Sequence, residues 1–539
     1  MTNDPVTLEV MRHALEGVAD EMGAVLRRTA YSPNIKERED CSAAVFGPGA
    51  ELVAQAEHIP VHLGSMPASV EAALGAFGDL AFGDQVLLND PYAGGTHLND
   101  LTLVAPVFEG DRLLGYVANR AHHTDVGGIA PGSIPAGATD ISEEGVRISP
   151  TLLYRAGVIQ SDVLRLVQEA SRTPTEREGD LLAQGGANER GAMRLLELAR
   201  EWGADAVIEA ERALADYAEA RVRAALADLP SGQWSFADVL DDDGAGSGPI
   251  SIRCRLRIAG GDVEVDLSES DPQVRGNVNA VEAVAVSAAC FVLRCLIPAD
   301  VPVNAGSWRA LRVIAPAGTV VNARFPAAVG AGNVEGSQRI CDVIFGAFAQ
   351  AMPERVPAAS QGTMNNVLIG GTDDGGRPFS YYETIAGGQG GMPWGPGASG
   401  IHTNMTNTRN TPIEALEHAY PLRATRYEIR VGSGGPGRHP GGDGVVRELE
   451  IVAADATLTL ITDRRTRGPW GVSGGGAGEP GRNLVDGEEV PAKVTRNVER
   501  GTIVRVETPG GGGWGTDAAH DDGYDKGAGP TGEPGDRPG

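Results

Sequence analysis

Four residues in two short clusters could do chemistry together. A group of imidazole and carboxylate side chains favours zinc, manganese or iron(II), and it leaves coordination positions for water or substrate. Cysteine is absent from both clusters, so we do not expect a closed structural zinc site. The four are His97 and Asp100 at the end of the glycine-containing run 89–100, and His122 and His123 in the run 120–125.

The segment between the two clusters is predicted to form a β-hairpin. Residues 101–108 and 112–118 have strand composition, and Glu109-Gly110-Asp111 between them is a turn signal. Folding the chain about Gly110 places Asp100 opposite positions near 120, so we expect His122 to be at most a diagonal neighbour of Asp100. Such neighbours lie about 5–8 Å apart between their β-carbons, within reach of a shared ion.

Local geometry limits which of these side chains can share an ion. If His97 and Asp100 lie in one helical turn, their spacing puts both on one face. His122 and His123 are adjacent, so on a strand they point to opposite faces and only one of them can be a ligand. Asp40, in an acidic run before a predicted strand, is a further candidate ligand or else a solvated turn residue.

Length, charge and cysteine content limit the class of protein. The 539 residues predict roughly three or four domains. The net charge of −27 argues against nucleic acid and anionic membranes as partners. Five cysteines without CxxC spacing are typical of a reducing compartment. We find no uninterrupted apolar stretch of about eighteen residues and no secretory leader, so we expect a cytoplasmic protein.

The residue pattern predicts a mixed α/β and α+β, multi-domain fold. We expect an N-terminal α/β part with the metal site, a helical middle layer without chemistry, and a β-rich C-terminal part. The end of the chain is rich in glycine, proline and aspartate, which predicts disorder. The predicted segments are 1–150 (α/β metal-site domain), 151–235 (helical), 236–424 (mixed α/β core), 425–515 (β-rich with glycine loops) and 516–539 (disordered acidic tail).

Two further segments have the composition of a pocket lining. His58 and His62 flank Pro60, which opposes a helix, and an extended chain would put both imidazoles on one face. The polar run 404–414 is costly to bury unless it lines a polar cavity, so Asn404 and Asn407 are also candidates for substrate binding. Glycine-rich loops are abundant, but none has the form of a phosphate-binding loop. We therefore do not expect this chain to bind ATP.

Several long segments taken together resemble the hydantoinase B/oxoprolinase family. They occur in the family order from residue 5 to about 515 and so cover nearly the whole chain. This family includes β subunits of ATP-dependent N-methylhydantoinases and caprolactamases, the second half of 5-oxoprolinases, and subunits of acetone and acetophenone carboxylases. The matching segments are 58–66, 89–100, 121–128, 404–414 and 427–437.

The resemblance implies a divalent metal ion held by Asp40, His97, Asp100 and His122. It also implies a hydantoinase A-type partner subunit with an actin-like ATPase fold, which uses the ATP, in an α2β2 hetero-oligomer. An ATP-using partner subunit agrees with the finding that no glycine-rich loop of this sequence has the form of a phosphate-binding loop. Glu39 departs from the family pattern, in which a basic residue often precedes the aspartate.

These observations lead to one interpretation and two alternatives. The interpretation is the metal-bearing subunit of an ATP-dependent cyclic-amide hydrolase of the hydantoinase or 5-oxoprolinase type. The ion would polarise the carbonyl or supply hydroxide, and His123 or Asp125 would be the general base. The alternatives are a subunit of an ATP-dependent ketone carboxylase and a non-catalytic scaffold. Hydrolase and carboxylase both require the ion, so the sequence does not separate them.

Overall fold

The computed structural model of the chain describes residues 4–56, 59–62 and 64–516. His58 and nearly all of the predicted tail, residues 517–539, lie outside the described residues. Within them the chain forms four β-sheets and several long helices. The predicted mixed α/β, multi-domain fold class is confirmed.

The first helix of the described residues begins at Pro5. Its N-cap is Asp4, whose carboxylate accepts a hydrogen bond from the Thr7 backbone amide, so an aspartate cap and a first-turn proline start the helix. The helices are α1 Pro5–Thr29, α2 Pro33–Lys36, α3 Met66–Phe77, α4 Ser161–Ala170, α5 Pro174–Trp202, α6 Ala204–Ala227, α7 Glu282–Leu296, α8 Ala305–Trp308, α9 Ser337–Ala351 and α10 Ile413–Ala419.

The N-terminal sheet has seven antiparallel strands in the order β2-β1-β5-β4-β3-β6-β7. Alternate residues of its strands face two different cores. Val45 and Val117 pack with α1 and α5, whereas Phe46 and Ala118 pack with α3. The strands are β1 Cys41–Phe46, β2 Leu52–Ala56, β3 Gln85–Leu88, β4 Asp100–Glu109, β5 Arg112–His122, β6 Thr151–Arg155 and β7 Val158–Ile159.

The β4–β5 hairpin has the predicted strands and turn but a different register. Asp100 pairs directly with His122, so the prediction of a diagonal neighbour at most was wrong. The reason is a bulge: Phe108 pairs with Leu113 whereas Val107 pairs with Gly115, which gives β5 one extra residue. This bulge brings an aspartate and a histidine face to face at the end of the hairpin.

Replacing Gly115 by alanine is expected to disturb this register. A β-carbon on Gly115 would lie 2.2 Å from the Phe46 carbonyl oxygen of the neighbouring strand. We expect Gly115→Ala to lower the free energy of unfolding by about 2–3 kcal/mol, because the backbone at Phe46 or at residue 115 must move. Gly110→Ala is the matched control, since that position has a φ of 60° but open space around it, and should cost about 1 kcal/mol. Equal urea midpoints for the two variants would contradict this account of the bulge.

A second sheet and two buried helices follow the helical layer. The alternating apolar residues of 250–267 form an antiparallel hairpin, β9 with β10, and β10 pairs in parallel with β11. Helices α7 and α9 share the large central core. The order is β11-β10-β9-β8, with β8 Gly232–Leu240, β9 Ile250–Ala259, β10 Asp262–Asp266 and β11 Leu311–Ile314.

The C-terminal part contains two antiparallel sheets whose strands are interleaved along the chain. Two predicted domain boundaries fall inside strands, 424/425 inside β14 and 235/236 inside β8. In addition, β12 pairs with β16, so one sheet includes strands from both sides of the 424/425 boundary. One sheet has the order β13-β12-β16-β19 and the other β14-β15-β20-β17-β18. Their strands are β12 Asn366–Thr372, β13 Pro378–Glu383, β14 Leu422–Arg430, β15 Gly444–Ile451, β16 Asp455–Ile461, β17 Arg482–Val485, β18 Glu488–Glu489, β19 Lys493–Glu499 and β20 Ile503–Glu507.

Candidate metal centre

His97, Asp100 and His122 meet at the end of the β4–β5 hairpin. Oδ1 of Asp100 lies 3.0 Å from Nε2 of His97 and 3.3 Å from Nδ1 of His122. The three ligand atoms lie within 4.8 Å of one another, and all three residues are buried. The Asp100 backbone amide donates to the His97 carbonyl, so the two share one turn as their spacing predicts.

The polar atoms of this cluster fit a bound cation. Nε2 of His97 and Oδ1 of Asp100 are buried and lie 3.0 Å apart, yet neither has a hydrogen bond of normal geometry among the described residues. Unpartnered buried polar atoms are rare and need an explanation such as an ion. Ligand atoms about 2.0–2.2 Å from one tetrahedral zinc ion are about 3.3–3.6 Å apart. The distances of Asp100 Oδ1 from the two imidazole nitrogens, 3.0 and 3.3 Å, are close to that spacing.

The second oxygen of Asp100 is held by the protein itself. Oδ2 accepts a hydrogen bond from the Thr96 hydroxyl at 2.6 Å and lies 3.5 Å from Nε2 of His62. Burial opposes ionisation of Asp100, but His97 and the other neighbouring imidazoles bring its pKa well below the usual range. Burial also lowers the pKa of His122, which favours the neutral imidazole that a metal requires.

The loop before the cluster is shaped by glycine and asparagine. Gly94 has a φ of 87°, and a β-carbon there would lie 2.3 Å from the Ala68 carbonyl oxygen. The Asn89 side chain donates to the carbonyls of Leu98 and Val146. These contacts fix the path of residues 89–100 and hence the positions of the two ligand candidates at its end.

Asp40, the fourth predicted ligand, lies beside the cluster rather than within the group of three. Its backbone carbonyl accepts from the His122 amide at 3.0 Å, and its negative charge acts to raise the pKa of His122. Its carboxylate is not among the atoms that lie within 4.8 Å of one another in the described residues. Glu39, the departure from the family pattern, has a φ of 57° and forms ion pairs with Arg27 and Arg409, away from the cluster.

The structure does not bring His123 and Asp125, the predicted general bases, to the cluster. Nε2 of His123 lies 2.9 Å from Oε1 of Gln184 on α5, because adjacent residues point to opposite sides of the strand. Burial and then the charge of Arg177 lower the pKa of His123 to about 4. Asp125 accepts from two glycine amides and from Arg172. Both therefore contact the helical segment, which was expected to be without chemistry, through buried polar groups.

The remaining predicted residues divide between the cluster, which His62 contacts, and a separate cavity. His62 is buried, and its Nδ1 lies 2.9 Å from the Ser42 hydroxyl oxygen. A cavity of about 440 Å³ is lined by Asn404 and Asn407 together with Pro60, which belongs to the same 3-10 turn as His62. The Asn404 amide also donates to Asp342. His58 lies outside the described residues.

Four residues near the cluster have no signal in the local sequence. Tyr382 stacks on His122, and Arg38 lies over the Tyr382 ring. Burial raises the pKa of Glu144 and of Glu335 to about 7 each, and the charge of Asp463 also acts on Glu335. Glu335 lies in a π-helical turn, Gly332–Gly336, a feature often found at functional sites. Tyr382 and Glu335 come from distant parts of the chain, so local patterns could not identify them.

Comparison with known proteins places these features in a family. A sequence profile described as hydantoinase B/oxoprolinase matches residues 4–517. 5-oxoprolinase 1 of Arabidopsis thaliana is 38% identical over 95% of this chain, which spans only 42% of the plant protein's length.

Two solved structures have the same fold. The ATP-dependent caprolactamase of Pseudomonas jessenii superposes with a TM-score of 0.90 and 31% identity, covering 96% of this chain and 93% of that one. Nucleotide-free acetone carboxylase superposes with a TM-score of 0.86 over 95% of this chain and 76% of that one, at 19% identity. Among the described residues, no helix is long and apolar enough to cross a membrane.

Proposed function

The chain belongs to the hydantoinase B/oxoprolinase family, and we propose that it is the metal-bearing subunit of an ATP-dependent enzyme that hydrolyses cyclic amides. The observation that supports this most is the buried group His97, Asp100 and His122 with its unpartnered ligand atoms. The similar caprolactamase is named as ATP-dependent. The substrate would be a hydantoin or a lactam.

The ion would be held by the side chains of His97, Asp100 and His122 together with that of Asp40. When bound, a divalent ion supplies Lewis acidity towards a carbonyl and lowers the pKa of a coordinated water. Thr96 orients Asp100 by donating to Oδ2, which leaves Oδ1 facing the two imidazoles. Zinc, manganese and iron(II) all accept this combination of nitrogen and oxygen ligands.

We propose His62, instead of the predicted His123 or Asp125, as the general base. Its Nε2 is 3.5 Å from Oδ2 of Asp100 while its Nδ1 is paired with Ser42. From there the imidazole, whose two nitrogens face Ser42 and Asp100, would move a proton beside the ion. A cavity lined by Asn404, Asn407 and Pro60 of the His62 turn would hold the ring of the substrate. Its volume is within the usual range for small-molecule sites.

We assign the ATP step to a hydantoinase A-type ATPase subunit in an α2β2 complex. An unstrained amide is a poor electrophile, so phosphorylation by the partner is a reasonable activation. The short coverage of the plant 5-oxoprolinase, 42% of its length, agrees with a division of the activity between this chain and another. Neither ATP nor nucleic acid is expected to bind here.

A ketone carboxylase subunit is the second candidate. The superposition on acetone carboxylase favours it, but at 19% identity that likeness reflects the fold alone. The same ligand group would then stabilise an enolate rather than activate a water molecule. The third candidate, a scaffold without metal, is disfavoured because both imidazoles and the aspartate keep a shared geometry.

Co-expression with the ATPase subunit tests the proposed function. The purified complex should open hydantoin, 5-oxoproline or ε-caprolactam only when ATP and both subunits are present, as measured by chromatography of the ring-opened product. His97→Ala in the same complex is the negative control for the ion. A metal-loaded complex that opens none of these rings, or equal product formation without this chain, would contradict the proposal.

A further inference from the structure

The imidazole of His122 lacks the contact that usually orients a metal ligand. A ligating histidine normally donates its second N–H to a carboxylate, carbonyl or water, which fixes the plane of the ring. Here Nδ1 faces Asp100, while Nε2 is buried without a hydrogen-bond partner among the described residues. Ring packing must therefore supply the orientation.

Tyr382 provides that packing. Its ring lies parallel to the His122 ring, with centroids 4.8 Å apart and planes 15° apart. The His97 ring also touches His122, but it is tilted by 46° and is itself without hydrogen bonds. Tyr382 is 4% exposed. A parallel buried contact of this kind resists rotation of the imidazole out of its plane.

Tyr382 is in turn fixed at both of its ends. Its hydroxyl donates to Oδ1 of Asn366 at 3.0 Å. Its backbone carbonyl accepts from Nη1 of Arg38 at 2.6 Å, and the Arg38 guanidinium lies 4.9 Å from the ring centroid. The tyrosine is therefore held by β12 on one side and by the segment that precedes Asp40 on the other.

The Asn366 side chain can accept the hydrogen bond from the Tyr382 hydroxyl in one orientation of its amide only. Its Nδ2 donates to Oε1 of Glu335 at 2.9 Å and to the Ile461 carbonyl at 2.8 Å. Flipping the amide would place Oδ1 against two acceptor oxygens. Glu335 is itself held by the Met364 amide, and it lies in the π-helical turn. Burial and the charge of Asp463 raise the pKa of this carboxyl, and contact with the Thr363 hydroxyl opposes that rise.

We infer that Tyr382, oriented by Asn366 and Glu335, is a positioning residue that sets the plane of the His122 imidazole for metal binding. The inference rests on the proposed metal site and adds to it residues outside the ligand group. Removing an outer partner of a ligand typically lowers metal affinity about 10–100-fold. The ligand field of the bound ion should change as well, which loss of a purely structural residue would not cause.

The test uses the full chain loaded with Co²⁺, whose visible absorption bands report ligand geometry. Tyr382→Leu should shift these bands and weaken Co²⁺ binding about 10-fold or more. Tyr382→Phe keeps the stacked ring but loses the bond to Asn366, so its effect should be smaller and in the same direction. Tyr381→Leu is the matched control, because Tyr381 is equally buried on the same strand but faces the other core. It should leave bands and affinity unchanged.

Each outcome decides the inference. Wild-type bands and affinity in Tyr382→Leu, or equal changes in Tyr381→Leu, would overturn the positioning role and leave the metal site standing. A wild-type chain that binds no Co²⁺ would overturn both the metal site and this inference. If Tyr382→Leu does not fold, Tyr382→Phe is compared with Tyr381→Phe instead. Only Tyr382→Phe should shift the Co²⁺ bands.

Discussion

Replacing His97 by alanine is expected to remove the divalent ion from the purified protein. Nε2 of His97 is buried 3.0 Å from Oδ1 of Asp100 without a hydrogen bond of normal geometry, so a bound ion is its natural partner, and loss of the imidazole leaves the site with too few ligands. Removal of an outer partner costs about 10–100-fold in metal affinity, and loss of a ligand should exceed the upper end of that range. Metal content by elemental analysis should fall from about one ion per chain to near zero.

Asp100→Asn should have the same effect, because the amide keeps the shape of the carboxylate but loses its charge. His13→Ala and Asp111→Asn are matched controls, since His13 has a 64% exposed side chain and Asp111 is an exposed turn residue. Circular dichroism should show that all four variants are folded. Equal metal content in wild type, His97→Ala and Asp100→Asn would contradict the site.

Asp40→Asn is expected to abolish ring opening by the complex with the ATPase subunit. Asp40 is buried, its backbone bonds to His122, and its charge favours a cation beside that ring. A metal ion contributes several kcal/mol of transition-state stabilisation, so poor retention of the ion should lower kcat/KM by at least about a thousandfold. Nucleotide binding by the partner should survive, because the nucleotide lies on the other subunit.

Glu37→Gln is the matched control for this variant. It removes one carboxylate charge from the same loop at a partly exposed position, and it should leave activity unchanged. Chromatography of the ring-opened product and titration of nucleotide into the complex measure the two quantities separately. Asp40→Asn with wild-type activity would remove Asp40 from the ligand set while leaving the other three in place.

The sequence predicted the parts of the site that local chemistry determines. The β4–β5 strands, the turn that joins His97 to Asp100 and the family motifs all depend on neighbouring residues, and the structure contains them. The family predicted from those motifs is confirmed by the profile match over residues 4–517. The alternation of a strand also predicted that only one of His122 and His123 could face Asp100.

The parts that differ depend on a bulge or on distant packing. One extra residue beside Gly115 changed the partner of Asp100, and the isolated glycine inside the strand is the local signal of that bulge. His123 and Asp125 have the right chemistry, but Gln184 of α5 and Arg172 bind them away from the ligand group. Tyr382 and Glu335 approach the cluster from more than two hundred residues away in the chain, so only the folded structure identifies them.

Isotope labelling of the product tests the central claim, hydrolysis of a cyclic amide, most directly. The complex of this chain with its ATPase subunit is incubated with ATP, the cyclic amide and ¹³C-bicarbonate, and a parallel sample contains no bicarbonate. Hydrolysis predicts the ring-opened amino acid in both samples, with the mass of one added water and no ¹³C. Product that forms only with bicarbonate and carries its carbon would contradict hydrolysis and establish the carboxylase reaction instead.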